Sequence, residues 1–307
     1  AKKADVHIKL KPGTNVAFAN GIMHVIIEEG LQDLDFINSR TEGYEELKEI
    51  VKDYTPERVA EICNIDPDDL RKAAIMYAKA DKAPIMYCLG VTEHSTGTEG
   101  VMSMSNMAML VGKLGRKGCG VNPIRGQNNV QGACDMGAMP TDFPGYQKVD
   151  NPEVLAKFEN AWGIKLNPKP GIKATEVFPA AIKGDIKGLY IFGEDPVVTD
   201  ADTNHIIKAL ESLDFLVMNE LFMTETAQYA DVILPGVSYA EKEGTFSNTE
   251  RRVQRVRKAV ELEGEMRLDT DIFTDIMNRM GYPQPHLTSA EIMDEIASVT
   301  PSFAGIS

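Results

Sequence analysis

The stretch "GLYIFGEDPVVTDADTNHIIKALESLDFLVMNELFMTETAQYADVILPG" (residues 188–236) decides the fold. It contains three short apolar runs, at residues 188–193, 214–219 and 230–236, and helix-like segments separate them. Apolar runs of this length that end in turn residues and alternate with helices are typical of buried parallel strands. The sequence therefore predicts an α/β fold built on doubly wound, Rossmann-like parallel sheets.

A further apolar run, "APIMYCLG" (residues 83–90), predicts another buried strand of a parallel sheet. Residues 5–10 alternate between polar and apolar side chains as a strand does. Helices are predicted over residues 12–30, 42–52 and 98–115, and after the cap-plus-proline pairs Thr55-Pro56 and Asp66-Pro67.

Charge and cysteine content exclude several classes of function. The 307 residues contain 32 Lys and Arg against 46 Asp and Glu, a net charge of −14. This balance argues against a broad surface for nucleic acid or anionic membranes. The four cysteines form no C-x-x-C pair, so we expect reduced thiols and a cytoplasmic location. No apolar stretch approaches the roughly 20 residues of a membrane-spanning helix.

The ends of the predicted strands are candidate ligand sites, because doubly wound sheets bind ligands beyond the carboxyl ends of their strands. Asp195 and Glu220 lie at two such ends. A carboxylate there can accept paired N–H donors from a guanine base, or bind ribose hydroxyls. The alternative role for each is a helix N-cap or first-turn acid. His94, after the 83–90 run, is a further candidate.

A segment rich in glycine and amide side chains, "GVNPIRGQNNVQGACDMG" (residues 120–137), resembles neither a helix nor a strand. Glycine lets the backbone pass close to a ligand, and Asn and Gln offer uncharged donors and acceptors. Arg125 is its one cation and can hold a carboxylate through two parallel hydrogen bonds. The segment predicts a ligand-binding loop, with an ordinary surface loop as the alternative.

The segment "GTFSNTERRVQRVRKAV" (residues 244–260) is short, β-like and basic. Two interpretations stay open: a solvated edge strand protected by charge, or contact with an anionic cofactor or an acidic neighbouring segment. "TDIFTDIMNRMG" and "TSAEIMDEIASV", which follow it, are predicted helices.

The chain resembles the catalytic subunit of molybdenum- or tungsten-dependent formate dehydrogenases over essentially all its residues. The resemblance rests on "GVTEHSTGTEGVMSMSNMAMLVGKLGRKGCGVNPIRGQNNVQGACDMGAMPTDFPGYQ", with its distinctive G-x-N-P-x-R-G-Q-N-N-V-Q-G-A-C-D-M-G. It continues in "GLYIFGEDPVVTDAD", "LFMTETAQYADVILPGVSYAEKEGTFSNTERRVQR" and "LDTDIF" followed by "MGYP".

The resemblance implies two molybdopterin guanine dinucleotides around Mo or W, and a formate-binding role for Arg125. Asp271 is implied to read the guanine edge, and Glu93 stands where the family often has Gln. The implied cofactor-binding residues are Leu89, Gly90, Glu93, Gly126, Gln127, Gly193, Glu194, Asp195, Thr199, Asn219, Glu220, Gly236 and Asp271.

The resemblance also implies parts that these residues do not contain. Family members carry a 4Fe-4S cluster in a cysteine-rich segment, a Cys or selenocysteine metal ligand followed by His, and a C-terminal domain. The expectation is a central portion of a larger enzyme, in which this chain supplies no metal ligand. We expect residues 1–127 to complete a Rossmann-like domain, 128–243 to form a second, 244–268 a small β-rich segment, and 269–307 a helical return.

The implied activity is the interconversion of formate and CO2, with electrons passing to iron–sulfur or flavin subunits. Nucleic-acid partners and a direct membrane span are not expected. Two alternatives remain: another molybdopterin oxidoreductase such as a nitrate reductase, or a non-catalytic scaffold fragment without the metal ligand.

Overall fold

The computed structural model describes residues 2–306, and the chain divides into two compact units, one through Gln127 and one from Asn128 onward. The first unit is mostly helical. Its elements are α1 (Asn15–Glu28), α2 (Leu34–Arg40), α3 (Tyr44–Val51), α4 (Pro56–Cys63), α5 (Pro67–Lys79), β1 (Pro84–Tyr87), α6 (Leu89–Thr92), α7 (Gly97–Leu110) and β2 (Gly120–Pro123).

The predicted helices of this unit form, and two of them begin at the predicted pairs of a cap residue and a proline. Thr55 and Asp66 accept backbone N–H groups at the starts of α4 and α5, each with proline at the first helical position. The predicted 98–115 helix ends instead at Leu110, because Gly112 and Gly115 adopt left-handed backbone angles, with φ of 61° and 70°. Helix α1 is buried along most of its length and packs against α4, α5 and α7.

The parallel pairing of β1 is confirmed, but its predicted burial is wrong. β1 pairs in parallel register with β2, so that residues 120–123 of the expected irregular segment are a strand. Within the described part of this unit the sheet has two strands, and only one face of β1 packs on the core. Ile85 contacts that core, whereas Met86 is 67% exposed.

The expectation of a strand at residues 5–10 is also wrong, since these residues form a bend followed by irregular backbone. Alternation of polar and apolar side chains is not sufficient for a strand, because a strand needs a neighbour to receive its backbone hydrogen bonds. Lys11 N–H, just after this segment, donates instead to the carbonyl of Cys63 at 2.9 Å.

The second unit contains the doubly wound sheet and a separate hairpin. Its helices are α8 (Val130–Asp135), α9 (Pro152–Trp162), α10 (Ala174–Lys183), α11 (Pro196–Thr199), α12 (Thr203–Glu211), α13 (Asp269–Arg279) and α14 (Ser289–Val299). Its strands are β3 (Asp142–Phe143), β4 (Gln147–Lys148), β5 (Gly188–Phe192), β6 (Phe215–Glu220), β7 (Val232–Pro235), β8 (Gly244–Ser247) and β9 (Val253–Val256).

Three parallel strands in the order β5-β6-β7 confirm the predicted sheet. One face carries Ile191 and Met218 and packs with side chains of α10 and α12. On the opposite face, Tyr190 and Phe192 contact Phe273 of α13 at ring-centroid distances of 5.7 and 5.5 Å. Helices therefore cover both faces. β5 is an edge strand rather than a buried one, and Phe192 is half exposed.

The basic segment forms an antiparallel hairpin, β8 with β9. Arg251, Arg252, Arg255 and Arg257 are exposed, and Arg255 lies 3.6 Å from Glu243 in an ion pair. This arrangement has the features of a solvated edge protected by charge. Within residues 2–306, no helix combines the length and apolar character that crossing a membrane requires.

Candidate functional site

The carboxyl ends of β1 and β2 form the first candidate region. Ile124 N–H donates to the Tyr87 carbonyl at 2.7 Å, which continues the pairing just beyond the two strands. The segment that begins at Leu89 and the one that carries Arg125 therefore leave the sheet at neighbouring strand ends. The structure thus brings together two groups of predicted site residues that are far apart in sequence.

Short helix α6 is held by side chains that the sequence reasoning did not connect with it. The Gly90 carbonyl accepts a hydrogen bond from Asn15 Nδ2 at 3.2 Å. His94 Nε2 lies 3.1 Å from the same oxygen and donates to it in the matching tautomer. His94 thus supports the backbone of α6, and Glu93 is exposed directly after this helix. Asn15 lies too far away in sequence for any local pattern to reveal its contact.

Glycine leaves the backbone open at both neighbouring strand ends. A Cβ built at Gly90 or at Gly126 would meet no heavy atom within 4 Å. Neither position therefore needs glycine for packing within its unit. Arg125, Gly126 and Gln127 are all exposed, which leaves their backbone accessible to a ligand.

The amides of the 120–137 segment divide into two groups, and the segment is more regular than expected. Residues 120–123 are β2 and residues 130–135 are α8. Three amides bind protein groups: Asn122 Nδ2 donates to Ile85 O at 3.3 Å, Asn129 Oδ1 accepts from Ser247 N–H at 2.9 Å, and Gln131 Nε2 donates to Asp135 Oδ1 at 2.8 Å. These amides are structural, whereas Gln127 and Asn128 are exposed.

The second candidate region lies at the carboxyl ends of β5, β6 and β7. Gly193 N–H donates to Asn219 O at 2.9 Å, and Gly236 N–H donates to Glu220 O at 3.1 Å. Four predicted residues from three strands therefore meet at one edge of the sheet. Gly193 has a φ of 62°, which glycine adopts without the cost a side chain would impose.

Asn219 is the buried polar group at this edge. It is 2% exposed, and its Nδ2 donates to Leu234 O at 3.1 Å. Its Oδ1 is buried and has no hydrogen-bond donor among the described residues. A Cβ built at Gly236 would lie 2.7 Å from Asn219 Nδ2. Buried acceptors in proteins normally receive a hydrogen bond. A ligand that donates a hydrogen bond at this edge would therefore satisfy Asn219 Oδ1, which has no donor among the described residues.

Asp195 is engaged within the protein, though not as the helix cap that was its alternative role. Its Oδ1 accepts from Thr226 N–H at 3.0 Å and from Thr226 Oγ1 at 2.5 Å, and its side chain does not cap α11. Neighbouring Glu194 accepts a hydrogen bond from Thr199 Oγ1 at 2.7 Å. These hydrogen bonds hold the turn after β5. Glu194 and Asp195, two of the predicted cofactor-binding residues, therefore stabilise the loop in which they lie.

Thr226, which sequence reasoning missed, carries the first of our testable predictions. It is fully buried, and its hydroxyl also accepts from Val197 N–H at 3.1 Å. Replacing Thr226 by Val leaves that buried N–H and one Asp195 contact unpaired. We expect a loss of about 1–3 kcal/mol in the free energy of unfolding, measured by urea denaturation. Thr226→Ser keeps the hydroxyl, and an equal loss in both variants would contradict this account.

Asp271 lies in the first turn of α13, and its carboxylate pairs with His286 rather than with a strand-end residue. Asp269, at the start of the same helix, is closer to that edge: a Cβ on Gly236 would lie 3.2 Å from Asp269 Oδ1. Asp269 also forms an ion pair with Lys242. In the part of the chain that the structure describes, no group of three or more His, Cys, Asp or Glu is arranged to hold a metal ion.

Comparison with known families identifies the class of protein to which this fold belongs. The molybdopterin oxidoreductase family matches residues 1–279, so the chain belongs to this family. The family implies a molybdopterin cofactor with molybdenum or tungsten. The chain is also similar in fold to acetylene hydratase from Pelobacter acetylenicus, with a TM-score of 0.75 and 24% identity over 100% of this chain and 44% of that chain.

Several relatives within the family are formate dehydrogenase subunits. The chain is 51% identical over 310 residues to F420-dependent formate dehydrogenase 2 subunit alpha of Methanococcus maripaludis, covering 100% of this chain and 45% of that protein. It is 49% identical to F420-dependent formate dehydrogenase subunit alpha of Methanocaldococcus jannaschii, with coverages of 100% and 45%. It is 47% identical to formate dehydrogenase H of Escherichia coli, with coverages of 99% and 43%. The chain therefore spans less than half the length of these relatives.

The residues present fit a dinucleotide cofactor. Asn219 Oδ1, which has no donor among the described residues, lies at the sheet edge where Gly193 and Gly236 follow the neighbouring strands. The open backbone at Gly90 and Gly126 leaves room for close approach of a ligand in the first unit. Both observations match the way in which doubly wound sheets receive nucleotides at strand ends.

Proposed function

We propose that this chain is the central part of a formate dehydrogenase catalytic subunit, which interconverts formate and CO2. The observation that carries the proposal is the exposed Arg125-Gly126-Gln127 segment at the β1–β2 edge, in a chain 51% identical over its full length to a formate dehydrogenase alpha subunit. Formate is a small carboxylate, and a guanidinium binds both oxygens of a carboxylate in one plane.

Arg125 acts by binding and orienting the substrate. Its guanidinium donates two parallel hydrogen bonds to the formate oxygens, which fixes the direction of the C–H bond. Gly126 keeps the backbone beside it free of a side chain, and Gln127 offers an amide to the cofactor. When bound, the molybdopterin centre supplies the two-electron redox chemistry, and the protein supplies position and charge.

The cofactor in this proposal comprises two molybdopterin guanine dinucleotides around Mo or W. Leu89 and Gly90 of α6, and Glu93 directly after this helix, contact one of them. The residues at the carboxyl ends of β5, β6 and β7 bind the guanosine part of a dinucleotide: Gly193, Glu194, Asp195, Thr199, Asn219, Glu220 and Gly236. Asn219 Oδ1 accepts a hydrogen bond from an N–H group of the guanosine. Asp271 reads the guanine edge. The 4Fe-4S cluster and the Cys or selenocysteine ligand belong to other parts of the full subunit.

Electrons leave, in this proposal, through an iron–sulfur or flavin subunit. Two of the relatives cited above are named F420-dependent, which favours a partner that reduces F420. Formate-dependent reduction of F420 by the assembled complex tests this partner, with a viologen dye as the control acceptor. We also propose a cytoplasmic location, because all four cysteines are free as a reducing compartment maintains them.

Metal and nucleotide analysis of the purified full-length protein tests the assignment. We expect Mo or W together with GMP released by acid, and reduction of a viologen dye that depends on formate. Activity with nitrate and none with formate would favour the alternative of a nitrate reductase. Absence of both metal and GMP, in protein that is folded and purified with its partner subunits, would favour a non-catalytic scaffold.

A further inference from the structure

A cavity of about 320 Å³ lies in the second unit, between the end of β7 and one face of α13. Among the described residues, β7 is an edge strand of its sheet. The α13 face carries Ile272, Ile276 and Arg279, which follow the spacing of neighbours on a helix surface. Phe273 of the same helix contacts aromatic rings of β5 instead. The cavity therefore lies along the side of α13 that is turned away from β5.

The floor of the cavity is apolar. Leu234 of β7 lines it together with Ile272 and Ile276. Ile272 is buried, and the other two are half-buried. Small-molecule sites are mostly apolar, with a few polar groups that fix the orientation of the ligand, and a volume of about 320 Å³ is near the lower end of their range. The floor therefore fits a short aliphatic group.

Four charged side chains line the same cavity, and two of them neutralise each other. Arg267 Nη2 lies 2.7 Å from Asp275 Oδ2, and this contact lowers the pKa of Asp275. The other oxygen of Asp275 is 3.1 Å from His286 Nε2. The remaining two, Glu265 and Arg279, are exposed, and neither forms an ion pair with another residue of the described part of the chain. One negative and one positive group are thus available to a ligand.

We propose that this cavity binds a free amino acid with an aliphatic side chain, such as L-leucine. The Arg279 guanidinium binds the α-carboxylate through two parallel hydrogen bonds, Glu265 accepts from the α-ammonium, and the aliphatic side chain contacts the apolar floor. An acid or an amine alone would leave one of the two charged groups without a partner, whereas a zwitterion pairs with both. The inference does not rest on the formate assignment, because none of these residues is among the predicted cofactor contacts.

The experiment compares L-leucine with isocaproate, which lacks the ammonium, and with isopentylamine, which lacks the carboxylate. Dissociation constants are measured by saturation-transfer NMR on the full-length protein. We expect L-leucine to bind about tenfold or more tightly than either analogue, the effect of one hydrogen bond to a charged group. Norvaline should bind about fifteenfold more tightly than alanine, because each of the two added methylenes contributes about fourfold when it is buried.

Two variants assign each charge of the ligand to its partner. Arg279→Gln should weaken L-leucine and isocaproate about tenfold or more and leave isopentylamine unchanged. Glu265→Gln should weaken L-leucine and isopentylamine and should not weaken isocaproate. Both side chains are exposed, so neither variant should disturb folding. Arg257→Gln, which removes an exposed arginine just after β9, is the matched control and should bind all three ligands as the wild type does.

Three results would overturn the proposal. The first is that isocaproate binds as tightly as L-leucine, which would make the cavity a site for apolar carboxylates without a role for Glu265. The second is equal binding of L-leucine by Arg279→Gln and Arg257→Gln. The third is the absence of saturable L-leucine binding up to about 10 mM. None of these results bears on the formate assignment, which metal and GMP analysis tests separately.

Discussion

Arg125→Lys in the full-length enzyme is expected to lower kcat/KM for formate by about ten- to a hundredfold. A lysine ammonium keeps the charge but cannot donate two parallel hydrogen bonds in one plane. Losing one hydrogen bond to a charged group costs about 1.5–3 kcal/mol, which corresponds to this range of rate. Arg125 is exposed on irregular backbone just beyond β2, and lysine keeps its charge and much of its length, so we expect little change in folding stability. Steady-state kinetics with a viologen dye measures the effect.

Arg116→Lys is the matched control for this substitution. Arg116 belongs to the same unit, and its guanidinium contacts Asp81 through the carboxylate at 3.3 Å and the carbonyl at 2.8 Å. It is exposed and lies outside the proposed site, so its kinetics should equal those of the wild type. If Arg125→Lys and Arg116→Lys have the same kcat/KM, Arg125 does not bind formate.

Gly97→Ala is expected to have the largest effect on folding, a loss of about 3 kcal/mol in the free energy of unfolding. Gly97 is buried at the start of α7, and a Cβ there would lie 2.0 Å from the carbonyl oxygen of Thr92. The clash is with backbone at the end of α6, which no change of rotamer relieves. The helix that carries Leu89 and Gly90 must therefore move.

Amide hydrogen exchange of peptides covering residues 89–110 measures this effect directly in the full protein. We expect faster exchange in Gly97→Ala, together with lower metal and GMP content. Gly244→Ala is the control for replacing a glycine, because a Cβ at Gly244 meets nothing within 4 Å among the described residues and Gly244 is not one of the proposed cofactor contacts. Its exchange should match the wild type, and equal exchange in all three proteins would show that α6 tolerates the displacement.

Much of the fold can be predicted because its signals are local. Proline after a cap residue marks the starts of α4 and α5, and three apolar runs mark β5, β6 and β7. The errors have a common physical cause, which is that burial and pairing depend on neighbours. Residues 5–10 have the alternation of a strand without a strand beside them, and β2 lies in a glycine-rich segment that pairing with β1 makes regular.

The candidate site likewise has a part that local sequence predicts and a part that depends on which side chains meet in the folded chain. Sequence alone indicated Arg125, Asp195, Glu220 and the strand-end glycines, because residue type and position after a strand are local properties. It did not indicate that Asp195 accepts a hydrogen bond from Thr226, or that Asn219 Oδ1 is buried with no donor among residues 2–306. Those facts depend on which side chains meet after the strands have paired, and no spacing along the chain encodes them.

The sequence by itself determined the family, the parallel α/β class and the segment that carries Arg125, through motifs that need only nearby residues. The tertiary structure alone decided which amides of residues 120–137 are structural and which are exposed. It also decided that His286 is placed against Asp271 and Asp275. The reason is physical: hydrogen bonds and ion pairs form between groups within about 3–4 Å of each other, and folding rather than sequence separation sets those distances.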